Sequence, residues 1–378
     1  MAFEHYIRSG KKWLRCGYTT GTCAALASAG AARLLLTGEA PGHMSLKTPK
    51  GLTVDVPLLD LRREGDAVSC SVEKDGGDDA DVTTGYRIAA SLRKTEDGIT
   101  IDGGTGVGRV TKPGLDQPVG AAAINHVPRE MIEAAVKREC EAAGYTGGIS
   151  VTISVPEGEK LAKHTFNPVL GIEGGISILG TSGIVEPMSD QAIVDTITVE
   201  ARQARASGAK HLLLTPGNYG MDFLIANGLN APGVPCVKYS NFVGEALDIA
   251  GTLGFETVLL VGHIGKLVKV AGGVMNTHSK YADCRLELLC AHAALCGGSR
   301  ELCQRLMTAA TTDAAIPMLD EEGLRQPVMD SLMTAIQRYL ERRVGGSFRV
   351  GAMMFSNEYG LLGRTHTAED ILKLWRTE

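Results

Sequence analysis

The sequence predicts an α/β protein of two domains, an α+β domain over residues 1–172 and an α/β domain with a mainly parallel sheet over residues 173–378. The chain has 378 residues, and single cores stop growing beyond roughly 250 residues. The first part mixes short alternating runs with glycine-rich loops. The second alternates apolar runs with amphipathic helices, which is typical of parallel strands joined by helical crossovers.

Two helices are predicted in the first domain. Residues 22–37 are rich in alanine and end before Gly38, which suits the left-handed position that closes a helix. Residues 128–143 begin with a proline, whose missing N–H costs nothing in a first turn, and end before Gly144. Alternating apolar residues predict strands in this domain, among them residues 52–58 and 149–155.

Four apolar runs predict the parallel strands of the second domain, and amphipathic segments between them predict its helices. Right-handed crossovers between these strands would give a Rossmann-like arrangement. The predicted strands are residues 176–179, 210–214, 234–239 and 257–261. The predicted helices follow caps at Ser189 and Asn241 and also cover residues 300–310 and 324–343. A last strand over residues 348–355 and a helix over residues 368–375 complete the domain.

Charge and hydropathy exclude several classes of function. The formal net charge of −5 gives no general attraction to nucleic acid or to an anionic membrane. The chain has no apolar run of the roughly 20 residues that a membrane span needs, and its start lacks the apolar core of a signal peptide. We therefore expect a cytoplasmic protein with neither nucleic acid nor membrane as a partner. The sequence leaves its assembly open, with a homo-oligomer as one alternative.

The cysteines and acidic residues predict no metal site. The nine cysteines include no CxxC pair, and those at 284, 290, 296 and 303 are spaced so that helices would turn them to different sides. The acidic turn at residues 78–81 lacks the further carboxylate of a calcium loop. No HExxH spacing is present. Reduced, buried thiols are the expected state of the cysteines.

Loops after the predicted strands carry the candidate ligand-binding residues. In open α/β sheets, ligands lie beyond the carboxyl ends of the strands. The loop at residues 180–189 has two glycines, three hydroxyls and a helix start, and the loop after residue 214 is short and polar. The glycine cluster at residues 103–108 has no helix after it, so it predicts a turn and not a dinucleotide fingerprint.

Residues 262–287 are dense in polar and charged side chains. Lys266 and Lys269 are three residues apart, so on a helix they would share a face and form a positive patch for carboxylates, or else a solvated surface pair. His263 follows a predicted strand, where it could act as a general base or as a hydrogen-bond donor that orients a ligand. In the first domain, the hydroxyl-rich start of the helix near Thr22 favours an anion.

Several long segments together resemble the CbiD family, the cobalt-precorrin-5B C1-methyltransferases of anaerobic cobalamin biosynthesis. The chain departs from the family pattern at Thr84, where His or Asn is usual, and at His126, where Pro is usual. The matching segments are CGYTTGTCAA (16–25), GVGRVTKPGL (106–115), TFNPVLGIEGGISILGTSGIVEPMS (165–189), SNFVGEALD (240–248) and VGHIGKLVKVAGGVMNTHS (261–279).

This resemblance implies methyl transfer from S-adenosylmethionine to C1 of a cobalt-containing tetrapyrrole, with cobalt-precorrin-6A as product. Cobalt would arrive inside the substrate. His263 or Glu186 would handle any proton. The residues expected to bind the cofactor are Gly180, Thr181, Ser182, Gly183, Pro187, Ser189, Thr215, Gly217 and Asn218. The residues expected to meet the carboxylates of the substrate are Arg15, Thr19, Thr20, Thr22, Lys112, Lys266, Lys269 and His278.

Two other functions fit the predicted architecture. An NAD(P)-dependent oxidoreductase of tetrapyrrole metabolism would use a doubly wound sheet, but the chain lacks the glycine fingerprint and an acidic residue placed for a ribose. A non-catalytic metabolite-binding protein would use the same loops after the strands to bind a ligand, but would not convert it.

Overall fold

The computed structural model describes residues 3–9, 12–165, 167–168, 170–229, 231 and 233–377. The chain divides into two compact units, Met1–Ser189 and Asp190–Glu378. The boundary therefore lies after Ser189 and not after residue 172. The reason is that short strands between residues 172 and 185 pair with strands of the first unit.

The first unit contains three helices, α1 (Thr20–Thr37), α2 (His126–Ala143) and α3 (Gly158–Ala162). The strands of this unit are β1 (Tyr6–Ser9), β2 (Lys12–Arg15), β3 (Gly17–Tyr18), β4 (His43–Lys47), β5 (Thr53–Pro57), β6 (Leu59–Glu64), β7 (Ala67–Glu73), β8 (Arg87–Thr95), β9 (Ile99–Gly103), β10 (Gly106–Val107), β11 (Arg109–Val110), β12 (Gly148–Ser154), β13 (Ile172–Glu173), β14 (Gly175–Ile176) and β15 (Ile184–Val185).

The main sheet of the first unit has the order β6-β7-β8-β12-β9, antiparallel except for the pair β12 and β9. Helices α1 and α2 bury their apolar side chains in the same core as this sheet. Both predicted helices are confirmed, each beginning two residues earlier than predicted. Gly38 (φ 81°) and Gly144 (φ 61°) end them in the left-handed conformation.

The second unit contains a single five-stranded sheet and nine α-helices within the residues that the structure describes. Its strands are β16 (His211–Thr215), β17 (Cys236–Lys238), β18 (Thr257–His263), β19 (Arg349–Ser356) and β20 (Gly360–Arg364). Its helices are α4 (Asp190–Ala206), α5 (Asn218–Ala226), α6 (Val243–Thr252), α7 (Ile264–Leu267), α8 (Arg285–Leu295), α9 (Arg300–Leu306), α10 (Thr312–Glu321), α11 (Arg325–Val344) and α12 (His366–Thr377), with a 3-10 helix at Val268–Gly272 after α7.

The sheet of the second unit has the order β17-β16-β18-β19-β20, with four parallel strands and an antiparallel edge strand β20. Successive residues of β18 point into two cores, Leu260 to one and Leu259 and Val261 to the other. Because both faces are covered, the strands are continuous apolar runs. None of the helices in the described part of the chain is both long and apolar enough to cross a membrane.

Two predicted elements of the second unit are wrong. Residues 176–179 are not a strand of the parallel sheet, because Ile176 ends β14, which pairs with β10, and Ile178 bridges to Ile124. Asn241 does not cap α6, which begins at Val243 without a side-chain cap. Strands β16, β17 and β18 and helices α4, α11 and α12 lie where the sequence predicted them, within a few residues.

Candidate functional site

The strand order of the second unit creates one position where the direction of the connections reverses. From β16 the chain passes to β17 on one side, and from β17 it crosses to β18 on the other side of β16. In open parallel sheets, ligands bind outside the carboxyl ends of the strands at such a switch point. Here those ends are Thr215 of β16 and His263 of β18.

The loop after β16 presents an open helix start at this switch point. Gly217 precedes α5 in an extended conformation, and α5 has no side-chain cap. Asn218 and Tyr219 are exposed, and a Cβ at Gly217 would meet no atom within 4 Å. The first amides of α5 can therefore face a ligand. Gly217 and Asn218, both predicted to bind the cofactor, lie at this switch point, beyond the carboxyl end of β16.

Thr215, the last residue of β16, packs inside the protein. Its side chain is fully buried, with Oγ1 3.5 Å from Sγ of Cys236. Its carbonyl oxygen accepts a hydrogen bond of 2.8 Å from the N–H of Tyr239. The structure thus gives Thr215 a packing role in place of the predicted cofactor contact.

Both ring nitrogens of His263 face groups of the protein. Nδ1 accepts a hydrogen bond of 3.1 Å from the N–H of Gly265 and so caps α7. Nε2 lies 3.6 Å from Oδ1 of Asp313, and the ring meets Phe355 edge-on. Because Nδ1 already accepts this hydrogen bond, its lone pair is not available to a substrate proton. This geometry fits a residue that orients the end of β18 better than a general base.

Lys266 and Lys269 do not form the predicted exposed patch. Nζ of Lys266 donates to the carbonyl of Ser240 at 3.1 Å and to Oδ1 of Asn241 at 2.9 Å. Burial, together with the charge of Lys269, lowers the pKa of Lys266. Since β16 lies between β17 and β18, Lys266 reaches across the end of β16 to the loop after β17.

Lys269 and His278 shape the segment that follows the 3-10 helix. Lys269 is buried and donates to the carbonyls of Thr277 at 3.1 Å and Ala282 at 2.8 Å. His278 is exposed, and its Nδ1 accepts the N–H of Lys280 at 3.0 Å. Lys269 therefore holds protein backbone and not a substrate carboxylate, because its ammonium is turned into the protein.

A cavity of about 330 Å³ lies in the second unit, where three segments meet. These segments are the start of α4, the residues after β17 and the segment from Asn276 to Tyr281. Oδ2 of Asp190 accepts hydrogen bonds from Lys280 at 2.7 Å and from the hydroxyl of Tyr281 at 3.0 Å, and the bond from Lys280 is the main cause that lowers the pKa of Asp190. The cavity is lined by Asp190, Gln191, Val194, Phe242, Glu245, Asn276 and Tyr281.

In the first unit, the start of α1 is occupied by the protein itself. Oγ1 of Thr20 accepts the N–H of Leu179 at 2.9 Å, and the hydroxyl of Thr22 donates to the carbonyl of Gly183 at 2.6 Å. Thr19 caps the helix by accepting the N–H of Thr22 at 3.2 Å. Of these three threonines, all predicted to bind substrate, Thr20 and Thr22 hold residues 179–183 against α1, and Thr19 caps the helix.

The glycines of the loop at residues 180–189 allow this close packing. A Cβ at Gly180 (φ 131°) would lie 2.3 Å from Oγ1 of Thr19, and one at Gly183 (φ 77°) would lie 2.8 Å from Cβ of Thr48. The hydroxyl of Ser182 donates to the carbonyl of Ile184 at 2.9 Å.

The remaining predicted residues of this loop differ in exposure. Thr181 is exposed and Pro187 is buried. Ser189 is the last residue of the first unit. The loop thus belongs to the first unit, whereas Thr215, Gly217 and Asn218 belong to the second.

The predicted charged residues of the first unit are paired or packed within it. Arg15 makes a two-pronged contact with Asp75, at 2.6 and 2.8 Å, so its guanidinium is committed to the protein and not to a substrate. Glu186 forms an ion pair with Lys50. Lys112 packs beside Gly171, where a Cβ would lie 2.5 Å from its Cγ.

The acidic turn at residues 78–81 also has structural contacts. Asp78 accepts the N–H of Arg15 at 2.7 Å, and Asp81 pairs with the buried Lys74 at 2.8 Å. Within the described part of the chain, no three His, Cys, Asp or Glu side chains are grouped as a metal site would need. Thr84 donates its N–H to the carbonyl of Asp81 at 3.1 Å, and Nδ1 of His126 lies 2.6 Å from Asp116, so both departures from the family pattern take part in local contacts.

Comparison with known proteins decides the family. Residues 7–187 match the family described as CbiD, and residues 276–366 match the family described as CbiD, C-terminal domain. A protein of Ruminiclostridium cellulolyticum named cobalt-precorrin-5B C(1)-methyltransferase is 47% identical and is matched over 94% of this chain and 92% of its own length. The chain belongs to the CbiD family.

Other CbiD relatives match over nearly the full length. Proteins with the same name from Alkaliphilus metalliredigens and Photorhabdus laumondii are 43% and 42% identical, over 99% and 100% of this chain and 98% and 99% of their own. The crystal structure of a cobalamin biosynthesis protein (cbiD) from Archaeoglobus fulgidus is 29% identical and covers 71% of this chain and 83% of that chain, with a TM-score of 0.39.

Packing around Gly183 in this CbiD chain gives a first prediction. Gly183→Ala should lower the free energy of unfolding by about 2–4 kcal/mol, because it combines a left-handed φ with a clash against Thr48. Gly174→Ala is the matched control, since Gly174 has a φ of 79° but no atom within 4 Å of its added Cβ. Urea unfolding checks this. Equal losses in the two variants would contradict the packing role of Gly183.

The ion pair of Arg15 gives a second prediction, on pH. The hydrogen bonds from Arg15 are the main cause that lowers the pKa of Asp75. The pair should therefore stabilise the fold fully above the pKa of an unfolded aspartate, about 3.9, and lose this effect as the pH falls through the lower folded value. In urea unfolding from about pH 7 to pH 2.5, the Asp75→Asn variant should have a lower free energy of unfolding than the wild type. This difference should shrink below about pH 4. Asp66→Asn, which removes a looser pair with Arg93 at 3.9 Å, is the control. A difference in the free energy of unfolding that does not depend on pH would contradict a stabilising role of the Arg15–Asp75 pair.

Proposed function

We propose that this chain transfers a methyl group from S-adenosylmethionine to C1 of cobalt-precorrin-5B, giving cobalt-precorrin-6A in anaerobic vitamin B12 biosynthesis in the cytoplasm. The observation that carries the proposal is the match to relatives of that name at 42–47% identity over 94–100% of the chain. Similarity of this extent covers both units of the chain.

The carboxyl edge of the second unit's sheet is our proposed position for the methyl donor. Its strand order has the switch point of a Rossmann-like fold, which supports binding at the ends of β16 and β18. The cavity of about 330 Å³ has the size of a small-molecule site. Phe242 offers an apolar surface, and the carboxylate of Glu245 suits the hydroxyl or ammonium groups of the donor.

The chain's own residues would contribute mainly positioning. The methyl donor supplies an electrophilic methyl on its sulfonium, so the protein has little covalent work to do. Lys266 ties the loop after β17 to α7, and the contact of His263 with Asp313 fixes the end of β18. A fixed edge of this kind keeps the donor in one orientation.

For handling a proton, Glu186 is the stronger of the two proposed residues. Its carboxylate is partly exposed beside Lys50, whereas Nδ1 of His263 is taken by the N–H of Gly265 and Nε2 faces Asp313. A group that moves a proton must reach the reacting atom with a free lone pair.

Turnover tests the proposed reaction. The protein with S-adenosylmethionine and cobalt-precorrin-5B should give a product heavier by one methyl group in mass spectrometry. Binding of both compounds without any gain in mass would favour a non-catalytic metabolite-binding protein. Tight binding of NADPH with no response to S-adenosylhomocysteine would favour an oxidoreductase.

Glu245 provides a test of the proposed donor site. Glu245→Gln should weaken S-adenosylhomocysteine binding about tenfold in calorimetry, because a neutral amide accepts hydrogen bonds more weakly than a carboxylate. Glu256→Gln is the matched control, since Glu256 lies directly before β18 at the opposite edge of the sheet and pairs with Lys210. Equal affinities of the two variants would move the donor away from this cavity.

A further inference from the structure

The ammonium group of Lys266 lies half-buried at the carboxyl edge of the second unit's sheet, and its partners are neutral. Nζ donates to the carbonyl of Ser240 at 3.1 Å and to Oδ1 of Asn241 at 2.9 Å. None of the ion pairs between described residues involves Lys266. Burial and, less strongly, the charge of Lys269 lower the pKa of Lys266, as expected for a cation without an anion beside it. An ammonium has three N–H donors, so one remains for a ligand.

The charged residues nearest to Lys266 do not supply that anion. Lys269 is buried and positive, and it donates to two backbone carbonyls. Asp283 accepts hydrogen bonds from Arg285 at 2.6 and 2.8 Å, and Glu287 lies on the same side of Arg285 as a further acidic neighbour. Together these residues and Lys266 carry three positive charges against two negative ones. A cation that is partly removed from water is costly without an anion, so this edge favours an anionic ligand group.

Hydrogen bonds join Lys266 to the wall of the cavity of about 330 Å³. Oδ1 of Asn241 accepts from Lys266 and also from the hydroxyl of Thr277, at 3.3 Å. The N–H of Thr277 donates to the carbonyl of Asn241 at 2.9 Å. The neighbours of these two residues in the chain, Phe242 and Asn276, line the cavity and form a β-bridge with each other. The ammonium of Lys266 is therefore one residue away from the cavity lining.

Ser240 adds a second donor beside Lys266. Its backbone has a φ of 55°, in the left-handed region that residues other than glycine adopt rarely. Its Oγ accepts a hydrogen bond of 3.4 Å from Nδ2 of Asn241, so the hydroxyl proton can be donated to an anion. Backbone conformations of this kind are concentrated at functional sites.

The segment of residues 240–245 has an unpaired carboxylate at its other end. Glu245, in the first turn of α6, is half-buried and lines the cavity, and no described residue donates a hydrogen bond to its carboxylate. The guanidinium of Arg343, the closest basic group, is bonded to Asp248 at 2.8 Å. An unpaired cation at Lys266 and an unpaired anion at Glu245 are complementary to a group that carries both charges, such as the zwitterion of an amino acid.

We propose that Lys266 and the hydroxyl of Ser240 bind the carboxylate of the methionine part of the methyl donor, while Glu245 binds its ammonium group. The identity of the donor rests on the proposed function. A methionine part held at both of its charges has one orientation, and this fixes the direction in which the sulfonium presents its methyl group.

Two ligands that differ only in the carboxylate test this proposal, S-adenosylmethionine and its decarboxylated form. Lys266→Met should raise the dissociation constant for S-adenosylmethionine about tenfold in calorimetry, because a charge-assisted hydrogen bond is lost. The dissociation constant for the decarboxylated compound should stay within about twofold, since it has no carboxylate for Lys266 to bind. Glu245→Gln should weaken both ligands about tenfold, because both keep the ammonium group.

Lys210→Met is the matched control for the loss of a positive charge. Lys210 lies directly before β16 at the opposite edge of the same sheet and pairs with Glu256 at 3.6 Å. This variant should bind both ligands like the wild type. Lys266→Gln is a second variant, which removes the charge but can keep a hydrogen bond to Ser240, and it should show the same difference between the two ligands as Lys266→Met.

A purely structural role of Lys266 would give a different result. If Lys266 only ties Ser240 and Asn241 to α7, its variants should weaken the two ligands equally, and this would overturn the carboxylate contact. Wild-type affinity of both Lys266 variants for S-adenosylmethionine would also overturn it. Either result would leave the proposed reaction intact, whereas a wild-type protein that binds neither ligand would contradict the proposed function as well.

Discussion

The contact between the start of α1 and residues 179–183 is the constraint on which the first unit depends. The side chains of Thr20 and Thr22 and the backbone N–H of Thr19, all at the first turn of α1, bond to a loop far along the chain, with Thr20 and Leu179 separated by 159 positions. Each such bond contributes about 1 kcal/mol, and a bond left unmade in these buried or partly buried surroundings would cost more. This contact places the end of the first unit at Ser189 and occupies a helix start that would otherwise attract an anion.

In the second unit, topology provides the corresponding constraint. Both faces of the sheet are covered by helices, so polar groups gather at the ends of the strands. The reversal of strand order at β16 separates the loops after β17 and β18, and Lys266 joins them again through Ser240 and Asn241. The open start of α5 and the cavity beside Phe242 lie among these loops. The site proposed for the donor is thus a consequence of strand order together with one half-buried lysine, Lys266.

The sequence predicted those helices and strands that are marked by residues close together in the chain. Helix α1 was predictable because an alanine-rich run ends at Gly38, and β18 because a strand covered on both faces is apolar throughout. Residues 176–179 misled for the same reason, since an apolar run does not encode its pairing partner, which here is β10. Strand β20 was missed because it is short, begins at a glycine and forms the sheet edge.

The candidate site was less predictable, because residue type does not distinguish a ligand contact from a protein contact. Arg15 and Lys269 have the charge that a substrate carboxylate needs, but a carboxylate and two backbone carbonyls of the protein use it. Gly217 and Asn218 were recognised correctly as residues at a strand end. The signal for Glu245 and Phe242 lay in a segment of the family resemblance, yet only the fold brings that segment to the cavity.

The most direct test of the central claim is a crystal structure of the protein with S-adenosylhomocysteine bound. We predict the ligand at the carboxyl edge of the second unit's sheet, with contacts to Gly217 and Asn218 and to the cavity beside Glu245. A ligand held instead by the loop at residues 180–189 against α1 would contradict it.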